Sequence, residues 1–182
     1  MNKKLKLWEL NRLSPEEFSK QEKLPVVVVL DDIRSFENVG SVFRTSDAFN
    51  IQEIILCGIT PVPPHREIHR TALGATETVS WSYSGKTLDA ILKLKTAGYT
   101  IYALEQAEKT IMLQHLKHCI DSRIALVFGN EVNGVNQDVI DQCDEVLEIP
   151  QFGTKHSLNV SVCVGVVLWE CATLLNPALK AD

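Results

Sequence analysis

From Pro25 onward, short apolar runs alternate with longer stretches whose apolar residues recur at helical spacing. The runs predict strands at Val26–Leu30, Glu53–Cys57, Thr78–Tyr83, Thr100–Leu104, Ile124–Phe128 and Glu145–Ile149. The longer stretches predict helices at Val39–Phe49, Lys86–Ala97, Val135–Gln142 and Leu158–Leu175. Strand–helix alternation of this kind predicts an α/β fold, a mostly parallel sheet with helices on both faces. Val26–Leu30 and Ile124–Phe128 are continuously apolar rather than alternating, as strands buried on both sides are. In the last stretch Val160, Val162 and Val164 also suit strand alternation. Its length predicts a helix, and apolarity all round makes that helix deeply buried or dimer-facing. Residues 1–24 are polar and mixed, and Ser14-Pro15-Glu16-Glu17 has the order of a helix start. The expected organisation is a short helical extension over 1–24 and one domain over 25–182.

Composition narrows the class. The chain has 182 residues, 45% hydrophobic and 23% charged, enough for a single core. No apolar run approaches the roughly 20 residues that a membrane helix needs. Trp8-Glu9 and Arg12 follow the N-terminal lysines where a signal peptide needs an apolar stretch, so a cytoplasmic protein without a membrane partner is expected. Five cysteines, an odd number without a Cys-x-x-Cys pair, fit reduced thiols better than disulfides or zinc. The spacings His65/His69 and His115/His118 lack a third and fourth ligand, and no metal is expected. A net charge of −5 excludes gripping nucleic acid through bulk positive field, leaving only local basic clusters for that purpose.

Ligands of open α/β sheets sit beyond the carboxyl ends of strands. Three such loops hold unusual residues. The first, Asp31 to Arg44, contains Asn38, able to donate and accept, Gly40, which leaves room for a backbone to approach a ligand, and Arg44, a rigid fork of donors suited to phosphate. The second is Phe128-Gly129-Asn130-Glu131-Val132-Asn133-Gly134, with two glycines flanking a polar turn. The third runs from Ile149-Pro150-Gln151 to Ser157-Leu158-Asn159-Val160-Ser161-Val162. There Ser157 is expected to cap the last helix, and Asn159 to lie in its first turn. Taken singly, each loop is accounted for by caps and turns.

Together, Asn-x-Gly-x-x-x-Arg, Phe-Gly-Asn-Glu-x-x-Gly and Ile-Pro…Ser-Leu-Asn-Val-Ser-Val, in that order, resemble the three motifs of the SpoU/TrmH family of RNA ribose methyltransferases, within the SPOUT class. Arg70-Thr71-Ala72-Leu73-Gly74-Ala75 and Val79-Ser80-Trp81 are similar to that family's intervening segment, and the likeness runs from about Pro25 to Glu170. Gln151 departs from it, since the family more often has an apolar residue there.

The resemblance implies a C-terminal deep trefoil knot, an obligate homodimer, S-adenosylmethionine as cofactor and RNA (tRNA or rRNA) as partner. It implies cofactor contacts at Leu104, Glu105, Phe128, Gly129, Asn130, Gly134, Ile149, Pro150, Gln151, Ser157, Leu158 and Asn159. Backbone at Gly129 and Ile149 suits an adenine edge, and Leu104 and Leu158 its faces. The implied reaction is methyl transfer to a ribose 2′-hydroxyl, with Arg44, Asn38, Glu131, Ser157 and Asn159 as the catalytic set. A guanidinium has a pKa above about 12 and is a poor base. Arg44 is therefore expected to hold phosphate and stabilise charge on the 2′-oxygen. Asn38 and Ser157 would orient RNA or the ribose, Glu131 would hold Arg44 or a neighbouring donor, and Asn159 would build the site. RNA contacts are expected from Arg34, Asn38, Arg44, His65, Arg66, His69, Arg70, Lys155 and His156. The alternatives are a SPOUT base methyltransferase and a non-catalytic knotted dimer that binds cofactor or RNA. A Rossmann-type methyltransferase is disfavoured because Asp31-Asp32 stands where its glycine-rich loop belongs.

Overall fold

The computed structural model describes residues 2–10 and 12–179; residues 1, 11 and 180–182 of the two expected segments lie outside the described residues. In chain order the elements are α1 (Pro15–Ser19), β1 (Leu24–Asp31), α2 (Phe36–Ala48), β2 (Ile51–Cys57), α3 (Arg66–Ala72), α4 (Ala75–Thr78), β3 (Trp81–Ser84), α5 (Thr87–Thr96), β4 (Thr100–Leu104), β5 (Ile111–Met112), β6 (Ile124–Phe128), α6 (Gln137–Ile140), β7 (Glu145–Glu148) and α7 (Val160–Leu175). The strands form one seven-stranded sheet in the order β3-β2-β1-β6-β4-β7-β5. Every pairing in it is parallel.

The sheet has a core on each face. Val26, Val28, Leu30, Leu126 and Phe128 point to the side covered by α2, α3 and α7. Val27, Val29, Ala125 and Val127 point to the side covered by α5 and α6. The continuous apolar runs are thus explained: successive side chains enter opposite cores. β4 and β6 begin and end where the sequence places them. The expected strand at Thr78–Tyr83 is shorter and later, because Ala75–Thr78 closes into one helical turn before Trp81 joins β2.

Outside the sequence reading lay α3, α4, the two-residue β5 and the 3-10 segments Leu7–Glu9, Leu113–His118 and Pro177–Leu179. α3 packs tightly on α2. A side chain at Gly40 would stand 2.0 Å from Thr71 Oγ1 and 2.4 Å from the Ile68 carbonyl. Gly40 therefore admits a neighbouring helix; the expected approach to a ligand is corrected by this packing.

α7 is a helix over the stretch that also suited strand alternation. Val164, Val167, Leu168, Cys171 and Ala172 are buried, while Val162, Val166 and Trp169 are exposed. Its cap is Asn159, whose Oδ1 accepts from the backbone of Ser161 at 3.0 Å and Val162 at 3.4 Å. That corrects the expected cap at Ser157, which stays in the preceding loop and is free for other contacts. At the other end of the chain, Ser14 and Glu17 form a reciprocal capping box on α1, as the sequence order predicts.

All five cysteines are free thiols, two buried and three half-buried. Among the described residues no helix is long and apolar enough to cross a membrane. Among the same residues no group of three or more His, Cys, Asp or Glu could hold a metal ion.

Candidate functional site

Three neighbouring strands end level with one another. Leu104 pairs with Phe128 on one side and Leu147 on the other, so β6, β4 and β7 release their chains side by side. The loops they release wall a cleft of about 510 Å³. Its floor and sides include Leu104, Glu105, Phe128, Gly129, Asn130, Gly134, Ile149, Gln151, Ser157 and Leu158. Ten of the twelve expected cofactor positions therefore line one cavity. Pro150 lies between two lining residues without lining it, and Asn159 is occupied as the cap of α7.

The loop from Gly129 to Asn136 is clamped at both ends. Asn130 and Gly134 exchange backbone hydrogen bonds of 3.0 and 2.9 Å, closing a tight turn. The Asn130 amide donates to the Asp32 carbonyl at 2.6 Å. Glu105 Oε2 accepts from Val135 N at 3.1 Å. The turn requires both glycines. A Cβ on Gly129 would lie 2.1 Å from Gly134 C and Val135 N, and Gly134 has φ +68°.

Beside the cleft, a chain of polar side chains joins the start of α2, the loop after β6 and the cap of α7. Asn38 Nδ2 donates to Glu131 Oε1 at 2.9 Å, and Asn159 Nδ2 donates to Asn38 Oδ1 at 3.1 Å. The Glu131 carboxylate also accepts from Arg34 N at 2.9 Å and Ser35 N at 3.1 Å. Partial burial pushes the Glu131 pKa up, but the donors from Arg34, Asn38, its own backbone and Ser35 outweigh that and hold it below the ordinary carboxylate value. Glu131 thus holds Asn38 and the start of α2; it is one of the neighbouring donors, not Arg44, that it secures.

Arg44 stands apart. It is exposed on α2 and does not line the cleft. It follows Asn38 by six positions, which puts the two side chains roughly 120° apart around the helix and about 9 Å apart along it. No ion pair of Arg44 occurs among the described residues.

The expected RNA contacts divide into two groups. His156 lines the cleft, with Lys155 exposed beside it, and the His156 carbonyl accepts from Gln106 Nε2 at 2.9 Å. Arg34 is exposed next to Glu131. The second group sits on and before α3: His65 caps that helix and stacks on Phe36 with ring centroids 3.9 Å apart. Arg66, His69 and Arg70 are exposed there, Arg70 pairing with Glu37. Such an exposed pair contributes little to stability.

Several site residues escaped the sequence reading. Asp31 is buried, accepts from the Thr87 hydroxyl, and accepts from Asn136 N at 3.3 Å, where the cleft loop ends. The available signal was a carboxylate terminating an otherwise apolar strand. Cys163, on the first turns of α7, faces the cleft; burial, assisted by the Glu105 charge, pushes its thiol up to about 12. It remains protonated and serves as apolar wall.

Residues 25–169 match the model of the SpoU rRNA Methylase family. The chain is 31% identical over 147 residues to a 23S rRNA (guanosine-2'-O-)-methyltransferase of Neisseria meningitidis, covering 80% of this chain and 57% of that protein. It is 30% identical over 161 residues to an uncharacterised tRNA/rRNA methyltransferase of Borreliella burgdorferi, covering 88% and 69%. Among solved structures, an AdoMet-bound rRNA methyltransferase from Sinorhizobium meliloti superimposes with a TM-score of 0.75 at 28% identity, over 88% of this chain and 60% of that one. A TrmH/SpoU tRNA modifying enzyme of A. aeolicus shares the fold with a TM-score of 0.77 at 22% identity, over 88% and 80%. The chain thus spans little more than half of the Neisseria protein's length.

Proposed function

The chain belongs to the SpoU rRNA methylase family, and from that premise we propose that it transfers a methyl group from S-adenosylmethionine to a ribose 2′-hydroxyl of tRNA or rRNA. The observation that carries this reading is the joining of Asn38, Glu131 and Asn159 at the rim of one cleft, although 121 positions separate the outer two in sequence.

The cleft fits the cofactor. Its volume of about 510 Å³ lies within the usual range for small-molecule sites. Leu104 and Leu158 offer apolar surface for a nucleoside, and the backbone at Gly129 and Ile149 offers polar groups for a base edge. When bound, the cofactor supplies an electrophilic methyl group on a sulfonium. Nothing in the protein need form a covalent bond to it.

The protein's task is to bring the 2′-oxygen into line and to stabilise its developing charge. Ser157, lining the cleft and released from capping, and Asn38, fixed by Glu131 and Asn159, orient the ribose. Arg44 holds phosphate and stabilises the 2′-oxygen. Because Arg44 lies outside its own chain's cleft, it acts in this reading on RNA held at the cleft of a second copy. The homodimer this needs is supported by exposed Val162, Val166 and Trp169 on α7. The segment from Ile149 through α7 forms the trefoil knot in this proposal, a reading supported by α7 packing back onto β1 and α2 after β7, the sixth strand in sheet order. Residues 1–24 are a short extension of a cytoplasmic protein.

The reading is tested by incubating the protein with labelled S-adenosylmethionine and unfractionated RNA. RNA-dependent incorporation of label is expected. Cofactor binding with no incorporation into tRNA or rRNA would favour a binding module instead.

A further inference from the structure

The mouth of the cleft carries apolar side chains that the sheet and helices do not use. Phe152 is 96% exposed, Val132 70% and Leu158 40%. Val132 and Leu158 line the cleft, and Phe152 directly follows the lining residue Gln151. One exposed apolar residue on a surface is ordinary; two lining one opening, with a third on the residue adjoining it, are not. Phe152 is the extreme case. It sits in the irregular stretch between β7 and α7, next to Gly153, and among the described residues no aromatic partner stacks on it, in contrast to Phe36 with His65.

Its surroundings select a kind of ligand. Lys155 and His156 follow within four residues, and Arg34 is exposed at the far side beside Glu131. A flat apolar ring next to side chains that suit phosphate is the combination with which proteins hold unpaired nucleotides. The second copy proposed above packs on α7, at Val162, Val166 and Trp169, rather than on this lip. The cofactor is served by the interior of the cleft and by Leu158, which leaves Phe152 and Val132 on the outer lip.

We infer that Phe152 is the platform on which a nucleobase of the RNA stacks while a ribose is presented at the cleft, an inference that rests on the function proposed above. The Lys155 ammonium neutralises a neighbouring phosphate, and Val132 bounds the opposite lip. Stacking accepts any base, so Phe152 contributes affinity and orientation while leaving the choice of base to other contacts.

The test compares the 182-residue chain with its Phe152→Ala, Phe152→Leu and Phe152→Tyr variants. The readouts are filter retention of unfractionated tRNA and of deproteinised 23S rRNA, methyl transfer from labelled cofactor, and sedimentation mass. For the RNA that the wild type retains, Phe152→Ala should weaken binding about tenfold. Phe152→Leu should resemble it, and Phe152→Tyr should resemble the wild type. The KM for cofactor and the sedimentation mass should not move. Binding by Phe152→Leu equal to wild type would show that apolar area rather than a π face matters, and would overturn the inference. So would unchanged RNA binding by Phe152→Ala. A changed mass or cofactor KM would assign Phe152 to a second copy or to the cofactor. A wild type that retains RNA without methylating it defeats the proposed reaction alone, because the binding comparison still stands; a wild type that retains no RNA defeats both.

Discussion

Asn38 donates its side-chain amide to Glu131 Oε1 at 2.9 Å, across 93 positions of sequence. One bond thereby ties the start of α2 to the loop that walls the cleft. Asn38 also receives Asn159, the cap of α7, so two separate ends of the chain depend on its orientation.

Replacing Asn38 by alanine removes both bonds. The pair is partly solvent-screened, so stability should fall by only about 1 kcal/mol, lowering Tm by roughly 2–4 °C for a chain of this size. Methyl transfer should fall further, by about tenfold or more, because the ribose loses its oriented amide. Cofactor affinity should change little, since Asn38 does not line the cleft. Calorimetry of cofactor binding together with single-turnover rates checks the split; equal losses in both would contradict it.

Acid should release this contact. The folded Glu131 carboxylate titrates below its ordinary value of 4.5. Its contribution to stability is therefore fully present above the unfolded pKa and is lost as pH falls through the lower folded pKa. Comparing Tm of wild type and Glu131→Gln across pH isolates the effect. The wild type should be the more stable at neutral pH, and the gap should close below the ordinary carboxylate range. A gap constant from neutrality into that acid range would contradict the assignment.

Gly129→Ala should damage the cofactor site directly. The added methyl would meet backbone 2.1 Å away, at Gly134 C and Val135 N, where no side chain can swing aside. The turn must open, and affinity for S-adenosylmethionine should drop by more than about tenfold, a loss of roughly 1.4 kcal/mol. Titration calorimetry gives the answer; an unchanged Kd would mean that the loop does not form the binding wall.

Arg44→Ala should abolish transfer while leaving cofactor binding intact, because the side chain lies outside its own cleft. If Arg44 serves a second copy, mixing Arg44→Ala with Gly129→Ala protomers should restore activity. In the mixed dimer one cleft is intact and faces an intact arginine. Recovery in exchanged dimers, with neither parent active, is the expected result. Failure to recover despite proven exchange would place Arg44 in its own subunit's chemistry.

Much of this architecture was readable from residue pattern. The continuous apolar runs of β1 and β6 announced strands with a core on each side, and β4 and β6 were bounded correctly because turn residues flank them closely. The sheet order was not readable, since β1 pairs with β6 about 100 positions later through backbone bonds that any sequence can make. The α7 cap was misplaced by two residues because Ser157 and Asn159 are both good caps. Only the geometry of the loop decides that Asn159 turns inward to Ser161 and Val162. For the site, the second and third motifs named most of the cleft wall. Asp31 escaped because its value lies in a distant backbone N–H of Asn136, and Phe152 because exposure has no sequence signature. Arg44 was grouped with the others by motif, whereas helix periodicity turns it away from Asn38.

The central claim is that the acceptor atom is a ribose oxygen. Mass spectrometry of nucleosides from RNA treated with this protein and isotopically labelled S-adenosylmethionine tests it most directly. The account predicts label on 2′-O-methylnucleosides, reduced with Asn38→Ala and lost with Arg44→Ala. Label carried on a nucleobase, with every ribose unmodified, would contradict it.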